Sequence, residues 1–320
     1  MTIENALPEV LAARWPGGSR EPPPETEAAI ARAAEVLRGG GLVAIPTETV
    51  YGLAGLALSE AAVERIFIAK GRPSTNPLIV HVDGAEMARG LAASWPEPAE
   101  RIATACWPGP VTVIVPKNDR VPDAVTAGGR TVALRCPDHP VARRLIERLG
   151  APLAAPSANR SQRLSPTTAA HVLEGLGPRV DLILDAGPCE RGIESTVVDC
   201  SVFPPVILRP GPLSATALAA VIAPHGGRVA AAPATSAGAV ERSPGRSSRH
   251  YSPRTPLEIS PDAAERVAGL LREGRRVGWM TTDTKGDRVR RIAASPEAGD
   301  RKSTRLNSSH EWISRMPSSA

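Results

Sequence analysis

The stretch IAKGRPSTNPLIVHV, residues 68–82, joins a predicted helix to a predicted strand through a turn rich in polar side chains. On its N-terminal side, SEAAVERIFIAK has helical spacing, and Ser59 suits the N-cap position. Val63, Ile66 and Phe67 form an apolar stripe whose next member, at i+7 from Val63, is Lys70. On its C-terminal side, LIVHV is a short apolar run typical of a buried strand. Helices and strands that alternate in this way predict an α/β fold.

Two cations, an amide and an imidazole are the candidate ligand-binding side chains in or beside this turn. The stripe directs Lys70 toward the core side of its helix, although a lysine in the last helical turn also commonly extends into solvent. Arg72 and Asn76 each precede a proline, which restricts the backbone to extended conformations and so limits the directions of both side chains. His81 shares a strand face with Ile79, where a hydrogen-bonded core histidine is the alternative to a ligand-binding one.

The rest of the chain predicts one large domain followed by a linker and a smaller segment. TEAAIARAAEVLR, residues 26–38, has helical spacing and ends at three glycines. Short β-like runs follow it, with helical patterns between several of them, and these predict a mixed sheet. The runs are LVAI, LIVHV, VTVIV, TVALR, PLAA, DLIL, STVVD and VILR.

We expect five segments along the chain. They are an N-terminal extension over 1–25, an α/β domain over 26–223, a linker rich in Pro, Gly, Ser and Ala over 224–256, an incomplete second α/β domain over 257–299, and a polar, patternless, non-native tail over 300–320. Within the second domain, the pattern predicts a strand, a helix and a second strand.

Composition excludes several classes of protein. No run of about 18 consecutive apolar residues occurs, and the N-terminus lacks the basic and apolar segments of a signal peptide, so we expect a cytoplasmic protein with no membrane partner. The four cysteines include no C-x-x-C pair, which fits a reducing compartment and predicts no zinc site. The net charge is +5, and residues 300–320 carry four cations and two anions, so charge gives only weak support for a nucleic-acid partner.

Polar side chains recur where the predicted strands end. Ligands of open α/β sheets collect at the carboxyl ends of strands, so these residues, together with Lys70 and Arg72, predict a cationic cavity for an anion such as a phosphate chain. The residues that follow strands are Thr47, Thr49, Arg135, Ser157, Asn159 and Arg209.

Motifs of other nucleotide-binding and hydrolytic sites are missing from the sequence. It contains neither G-x-x-x-x-G-K-[ST] nor a G-x-G-x-x-G after a strand, and neither H-E-x-x-H nor G-x-S-x-G. A Ser-His-Asp set could be assembled from Ser157, His81 and Asp185, but nothing in their spacing supports it. A site rich in cations and hydroxyls suits phosphoryl or nucleotidyl transfer by positioning and charge stabilisation.

The chain contains, in order, the blocks GGLVAIPTETVYGL, AKGRPSTNPLIVHV, WPGPVTVIV, APSANRSQRLSPT, GIESTVVD and ILRPG. Together they resemble the YrdC-like threonylcarbamoyl-AMP synthase family, and SPGRSSRHYSP resembles the joint in its longer, two-domain Sua-type members. The resemblance covers residues 26 to about 256, and the second domain would then be truncated. It implies a YrdC/RibB-like twisted mixed sheet with helices and a basic concave face. It also implies a nucleotidyltransferase that converts L-threonine, bicarbonate and ATP into threonylcarbamoyl-AMP and pyrophosphate.

The resemblance further implies roles for individual residues and partners. Lys70 and Arg72 are expected to be catalytic, and Mg²⁺ is expected with ATP, although no acidic cluster in the sequence predicts a metal site. The product would pass to the tRNA threonylcarbamoyl transferase machinery. The residues implied in ATP binding are Lys70, Arg72, Asn76, Thr131, Ser157, Asn159, Ser165, Arg209 and Tyr251, the last in a lid formed by the linker. Those implied in L-threonine binding are Thr49, His81, Arg135 and Ser195, with Arg135 holding the carboxylate.

Two other functions are left open by the sequence. The same basic concave surface could bind double-stranded RNA through phosphate contacts, so weak RNA binding is a further expectation. The two Tyr and two Phe residues are few for stacking on single strands. A carbamoyl-transfer maturation enzyme with a similar domain would carry zinc-type cysteine pairs, which this chain lacks.

Overall fold

A computed structural model describes residues 7–16, 21–222, 230–231, 258–282 and 289–294. The chain divides into two compact units, Met1–Ser252 and Pro253–Ala320, which are described separately. No helix in these described ranges is long and apolar enough to cross a lipid bilayer.

The first unit contains an eleven-stranded mixed sheet with helices between its strands. Its sheet order is β1-β8-β2-β3-β7-β4-β6-β5-β9-β10-β11. The elements in chain order are β1 (Glu9–Ala12), α1 (Pro24–Arg38), β2 (Val43–Ile45), β3 (Gly52–Leu56), α2 (Glu60–Lys70), β4 (Ile79–His81), α3 (Ala85–Arg89), α4 (Glu97–Cys106), β5 (Val111–Pro116), α5 (Asp123–Thr126), β6 (Thr131–Arg135), α6 (Pro140–Leu149), β7 (Leu153–Ala154), α7 (Ala169–Leu176), a 3-10 turn (Gly177–Arg179), β8 (Leu182–Asp185), β9 (Thr196–Asp199), β10 (Val206–Arg209), α8 (Ala215–Ile222) and β11 (Ala230–Ala231).

The sheet mixes parallel and antiparallel pairs, as the sequence predicts. Strand β4 runs parallel to β6 and antiparallel to β7, while β5 runs parallel to β9 and antiparallel to β6. The register of β4 against β6 places His81 opposite Arg135. Two candidate site residues from distant parts of the sequence therefore lie side by side at the ends of neighbouring strands.

Hydrophobic clusters cover both faces of the sheet. In β2, Val43 and Ile45 belong to the cluster that contains α1 and α6, whereas Ala44 belongs to the cluster that contains α2, α4, α7 and α8. This alternation follows from the two-residue period of a strand. The predicted stripe of α1 is confirmed, because Ile30, Ala33, Ala34 and Leu37 are all fully buried.

Helix α2 begins and ends with the signals that its sequence carries. The Ser59 hydroxyl accepts a hydrogen bond from the Ala62 N–H at 3.3 Å, which satisfies a free donor of the first turn. Gly71 has φ of +57°, and the Arg72 N–H donates to the Phe67 carbonyl at 3.0 Å, the bond of a Schellman cap. The cap stops the helix directly after Lys70, so the following turn leads the chain back to β4.

Three strands of the first unit were not predicted from the sequence: β1, β3 and β11, the last of which pairs in parallel with β10 inside the segment expected to be a linker. Residues 9–12 form strand β1, which pairs in parallel with β8, inside the segment expected to be an extension. Residues 52–56 form β3, whose GLAGL sequence lacks the β-branched residues that indicate a strand. Gly55 suits this strand because a Cβ there would stand 3.2 Å from the Ile66 side chain of α2.

The second unit contains α9 (Ala263–Arg272), β12 (Val277–Thr282) and β13 (Val289–Ala294), with the two strands paired antiparallel. The predicted helix and the strand after it are present. The strand expected before the helix is absent from residues 258–260, and β13 was not predicted. No residue of α9 is buried.

Candidate active site

A cleft of about 510 Å³, including space open to solvent, lies at the strand ends of the first unit. The loop between β2 and β3, the ends of β4, β6 and β10, and the segments after β7 and before β9 all contribute to its wall. Seven of the candidate site residues line it. The lining residues are Thr47, Thr49, Val50, Gly52, Arg72, Ile79, His81, Arg135, Ala155, Pro156, Ser157, Glu194, Ser195 and Arg209.

Arg72 enters this cleft from the turn after α2, and the two residues after the turn hold it. Its Nε donates to the Asn76 carbonyl at 3.1 Å, and its Nη2 donates to the Asn76 side-chain oxygen and to the Pro77 carbonyl. Asn76 is itself buried. Asn76 therefore acts in this structure as a support for Arg72, whereas the sequence resemblance implies a direct ATP contact.

Lys70 is fully enclosed behind the cleft wall and is not among its lining residues. Its Nζ donates to the carbonyls of Ser157 and Asn159 at 2.5 and 2.6 Å and to the Asn159 side-chain oxygen at 3.3 Å. Burial, aided by the nearby Arg72, holds the pKa of Lys70 well below its usual value, and Glu194 opposes that shift. Lys70 thus points toward the core side, as the helical stripe predicts, and supports the loop that carries Ser157 and Asn159.

His81 and Arg135 both line the cleft, as neighbours in adjacent strands. Burial, with the adjacent Arg135 cation, lowers the pKa of His81 to about 3, so the ring is neutral at pH 7. Its Nδ1 is buried and has no hydrogen-bond partner within the described part of the chain. Arg135 donates from Nη2 to Glu48 Oε1 at 2.7 Å, a buried ion pair that the sequence did not predict.

The loop between β2 and β3 presents two threonine hydroxyls. Thr47 Oγ1 donates to the Val50 carbonyl at 2.6 Å, so the 2.8 Å bond between Thr47 and Thr49 has Thr49 as its donor. Backbone N–H groups of Thr49 and Val50 also point at Thr47 Oγ1, both at 3.2 Å. Thr49 therefore keeps its oxygen lone pairs available to a ligand N–H or O–H.

Arg209, Ser195, Ser165 and Glu194 form a second connected group, and all of them except Ser165 line the cleft. Arg209 donates from Nε to the Ser195 carbonyl at 3.1 Å and from Nη2 to the Ser195 hydroxyl at 3.2 Å. Its Nη1 is paired with one oxygen of Glu194, whose other oxygen accepts from the Ser165 hydroxyl at 2.9 Å. Thr112, on β5, holds the Ser195 hydroxyl at 2.8 Å.

Thr131 and Tyr251 are the two remaining candidate residues, and Thr131 is not among the residues that line the cleft. Thr131 is the first residue of β6 and Arg135 the last, which places them about 13 Å apart at about 3.3 Å per residue. Tyr251 and most of the predicted linker lie outside the described residues. The functional roles of these two residues, like those of the other candidates, stay predictions.

The sequence analysis missed two acidic residues of the site, Glu48 and Glu194. Glu48 lies in the block GGLVAIPTETVYGL and Glu194 in GIESTVVD. An anion-binding site predicts cations and hydroxyls, so these carboxylates were not expected in it. The available signal was that Glu48 lies between Thr47 and Thr49, all within four residues after the strand LVAI. Within the described ranges, no group of three or more His, Cys, Asp or Glu side chains could hold a metal ion.

The mixed sheet has a cleft of arginine, hydroxyl and imidazole groups at its strand ends, an arrangement typical of α/β proteins that bind an anionic ligand. Comparison with known proteins makes the class specific. The profile of the Sua5/YciO/YrdC family, described as "Telomere recombination", matches residues 35–211, and the "Threonylcarbamoyl-AMP synthase, C-terminal domain" profile matches residues 213–311. The chain belongs to the Sua5/YciO/YrdC family, which confirms the resemblance found in the sequence.

Curated relatives from two organisms are similar over most of this chain. The threonylcarbamoyl-AMP synthase of Pyrococcus abyssi is 44% identical over 256 residues, covering 77% of this chain and 74% of the relative. That of Bacillus subtilis is 45% identical over 267 residues, covering 80% of this chain and 75% of the relative.

Solved structures agree with the fold described above. A crystal structure of P. abyssi Sua5 complexed with L-threonine superposes with a TM-score of 0.75 at 40% identity, covering 82% of this chain and 76% of that one. Escherichia coli YciO, at 23% identity and a TM-score of 0.56, covers 66% of this chain and shows the fold alone.

Proposed function

We propose that this protein is an L-threonylcarbamoyladenylate synthase, which joins L-threonine, bicarbonate and ATP into threonylcarbamoyl-AMP and releases pyrophosphate. One observation carries the proposal: a single cleft holds Arg72 and Arg209 together with Arg135 and His81. The first pair suits a phosphate chain, and the second suits an amino acid carboxylate beside a neutral ring. Relatives named threonylcarbamoyl-AMP synthase, at 44% and 45% identity, support the same assignment.

The chemistry assigned to these residues is positioning and charge stabilisation. The amino nitrogen of threonine forms a bond to the carbon of bicarbonate with loss of water, and an oxygen of the resulting carbamate attacks the α-phosphorus of ATP. A new P–O bond then forms, the bond from the α-phosphorus to the bridging oxygen breaks, and its electron pair leaves with pyrophosphate. Arg72 and Arg209 offset the charge that accumulates on the phosphate oxygens during this step. Lys70 keeps the loop of Ser157 in place beside them.

Magnesium fits this site only as an ion that arrives with the nucleotide. Mg²⁺ keeps several waters and commonly binds one or two carboxylates together with substrate phosphates. Glu194 is a carboxylate in the cleft wall, and the described residues provide no acidic cage around it. When bound, the ion would neutralise phosphate charge alongside Arg72 and Arg209.

The wider role follows from the product. We propose that threonylcarbamoyl-AMP is passed to the tRNA threonylcarbamoyl transferase machinery, and that the protein acts in the cytoplasm. The four cysteines all carry free thiols, which supports a reducing compartment. Duplex RNA binding at the cleft is less well supported, because Lys70, Arg135 and Arg209 are all buried and an RNA backbone needs accessible cations.

Pyrophosphate release measured with each substrate omitted in turn tests the proposal. We expect release to require ATP, L-threonine and bicarbonate together. Arg72→Ala should lower kcat/KM by roughly 30- to 1000-fold, as expected when a donor that stabilises developing charge is removed. Arg101→Ala is a suitable control, since Arg101 lies on the exposed side of α4 and pairs with Glu97 there. Pyrophosphate release that continues without threonine or bicarbonate would refute the assignment.

A further inference from the structure

The ion pair of Glu48 and Arg135 is unusual in its burial. Both side chains are only 5% exposed, and the single bond between them is 2.7 Å long. Removing two charges from water costs several kcal/mol per ion, so such a pair commonly adds little to stability compared with apolar residues of the same size. A buried pair at the wall of a binding cleft therefore needs an explanation other than stability.

The guanidinium of Arg135 has two edges, and the structure distinguishes them. Nη2 donates to Glu48, and Nε, which lies on the same edge, is buried without a partner in the described ranges. Glu48 Oε2 is likewise buried and unpartnered there, so the pair is one bond short of a two-bond fork. In the described ranges Nη1 has no hydrogen bond and is not fully buried. Because Arg135 lines the cleft, we assign Nη1 as the nitrogen that faces it.

The backbone fixes both members of the pair. The Glu48 carbonyl accepts from the Arg191 N–H at 2.9 Å, and the next carbonyl, of Thr49, accepts from the Gly192 N–H at 3.0 Å. Arg135 is the last residue of β6, which is hydrogen-bonded on one side to β4 and on the other to β5. With both backbones held, the bond from Nη2 to Glu48 sets the rotation of the guanidinium plane.

We propose that Glu48 is a positioning residue for substrate binding: it holds one edge of the Arg135 guanidinium so that the opposite edge faces the cleft to receive the substrate carboxylate. This inference rests on the proposed function, in which that carboxylate belongs to L-threonine. A guanidinium that is already oriented loses less rotational freedom when it binds a carboxylate, which strengthens binding. Glu48 acts through Arg135 and does not contact the reacting atoms.

Three variants separate this role from simple support of the fold. Glu48→Ala removes the partner of Nη2, Glu48→Asp places the carboxylate one methylene too far away, and Glu48→Gln keeps an oxygen acceptor at the same position. The measurements are the Kd for L-threonine by calorimetry, the KM for L-threonine and for ATP in pyrophosphate release, and the melting temperature. Glu97→Gln, on the exposed surface of α4, is the control for loss of a glutamate charge.

We expect Glu48→Ala to weaken the binding of threonine but not of ATP, and Glu48→Gln to retain threonine binding. Glu48→Ala should raise the Kd and KM for L-threonine by about 30-fold, or about 2 kcal/mol at 1.4 kcal/mol per tenfold, with the KM for ATP within threefold. Glu48→Asp should show an intermediate increase. Glu48→Gln should stay within about fivefold of the wild type.

Several results would overturn this role for Glu48. They are an unchanged threonine Kd in Glu48→Ala, an equal rise in the KM values for both substrates, and a Glu48→Gln variant as impaired as Glu48→Asp. If Glu48→Ala does not fold, the comparison of the Asp and Gln variants decides. Failure of the proposed function is a separate outcome, because the wild-type protein would then release pyrophosphate at a rate that does not depend on threonine.

Discussion

Replacing Glu194 by glutamine should make ATP bind more tightly. In the structure the Glu194 carboxylate contacts the Ser165 hydroxyl and Arg209, two groups that are predicted to bind ATP. A triphosphate that binds the same groups must share them with this carboxylate or displace it. The Glu194→Gln variant would keep one oxygen acceptor for Arg209, and its amide N–H could donate to the Ser165 hydroxyl oxygen, while the negative charge is removed.

The burial of the pair sets the expected magnitude. The side chains of Arg209 and Glu194 are 9% and 13% exposed, so the charges are only partly screened by water. Two like charges about 4 Å apart repel by about 4 kcal/mol at an effective dielectric constant of about 20. Part of this repulsion would be relieved if Glu194 rotated away from the phosphates, and part would be offset by the nearby cation Arg72. We therefore expect a net gain of about 1 to 2 kcal/mol, or a roughly 5- to 30-fold lower Kd for ATP.

Calorimetric titration with ATP, with and without Mg²⁺, measures this effect. The gain should be larger without Mg²⁺, because the free nucleotide carries more negative charge toward the cleft. Glu190→Gln is the matched control: it removes a 73% exposed carboxylate from the same loop, paired with Arg191 outside the cleft wall. If Glu194→Gln binds ATP as weakly as the wild type or more weakly, Glu194 does not compete with the nucleotide and this reasoning is wrong.

Three further substitutions test other features of the structure. Lys70→Met should lower the free energy of unfolding in urea by about 1 to 3 kcal/mol, since it leaves loop carbonyls without their donor, and wild-type stability would contradict a supporting role. The pKa of His81 is about 3 in the folded protein and about 6.5 in the unfolded chain, so the unfolded chain alone takes up a proton between pH 7 and pH 5, which lowers the free energy of unfolding by about 2 kcal/mol. His81→Asn should remove this loss. Identical pH dependence of stability in both proteins would argue against a neutral buried ring. Gly211→Ala should lower the free energy of unfolding by at least about 2 kcal/mol, because its Cβ would stand 2.4 Å from a backbone nitrogen of β9. Gly175→Ala in α7 has open space around the new Cβ and should leave stability unchanged or raise it by up to about 1 kcal/mol. Equal shifts of the melting temperature in the two variants would contradict this difference.

The sequence predicts the fold best where short-range patterns are strong. TVALR and VILR coincide with β6 and β10 residue for residue, because apolar runs with β-branched residues stand between turn residues. Strand β3 was missed because its glycines serve close packing, Gly55 against α2 and Gly52 against Ala155 and Pro156, a reason that only the folded structure reveals. Strand β1 was missed because its residues are mostly exposed and its partner, β8, lies about 170 residues further along the chain.

The sequence predicts the contacts between site residues less well than it predicts the strands and helices. Helical spacing predicts that Lys70 points inward, but its acceptors, in the loop of residues 157–159, are 87 or more positions away in sequence. The partner of Arg135 is equally remote, and so sequence analysis predicts the cations without the groups that hold them. Local patterns can show which face a side chain occupies, whereas its partner depends on the order of strands in the sheet.

These partners change how the cationic cleft should be understood. Several like charges in one cavity would repel one another, and each would lose hydration on burial. In this structure Lys70 is held by backbone carbonyls, Arg72 by Asn76, Arg135 by Glu48 and Arg209 by Glu194. Two of these partners are carboxylates, and only that of Arg209 lies in the cleft wall itself. A triphosphate bound there would therefore share Arg209 with this anion or displace it. A carboxylate bound at Arg135 would instead meet a guanidinium whose partner, Glu48, stays in place. We therefore expect ATP binding to depend more strongly on the charge of Glu194 than threonine binding depends on the charge of Glu48.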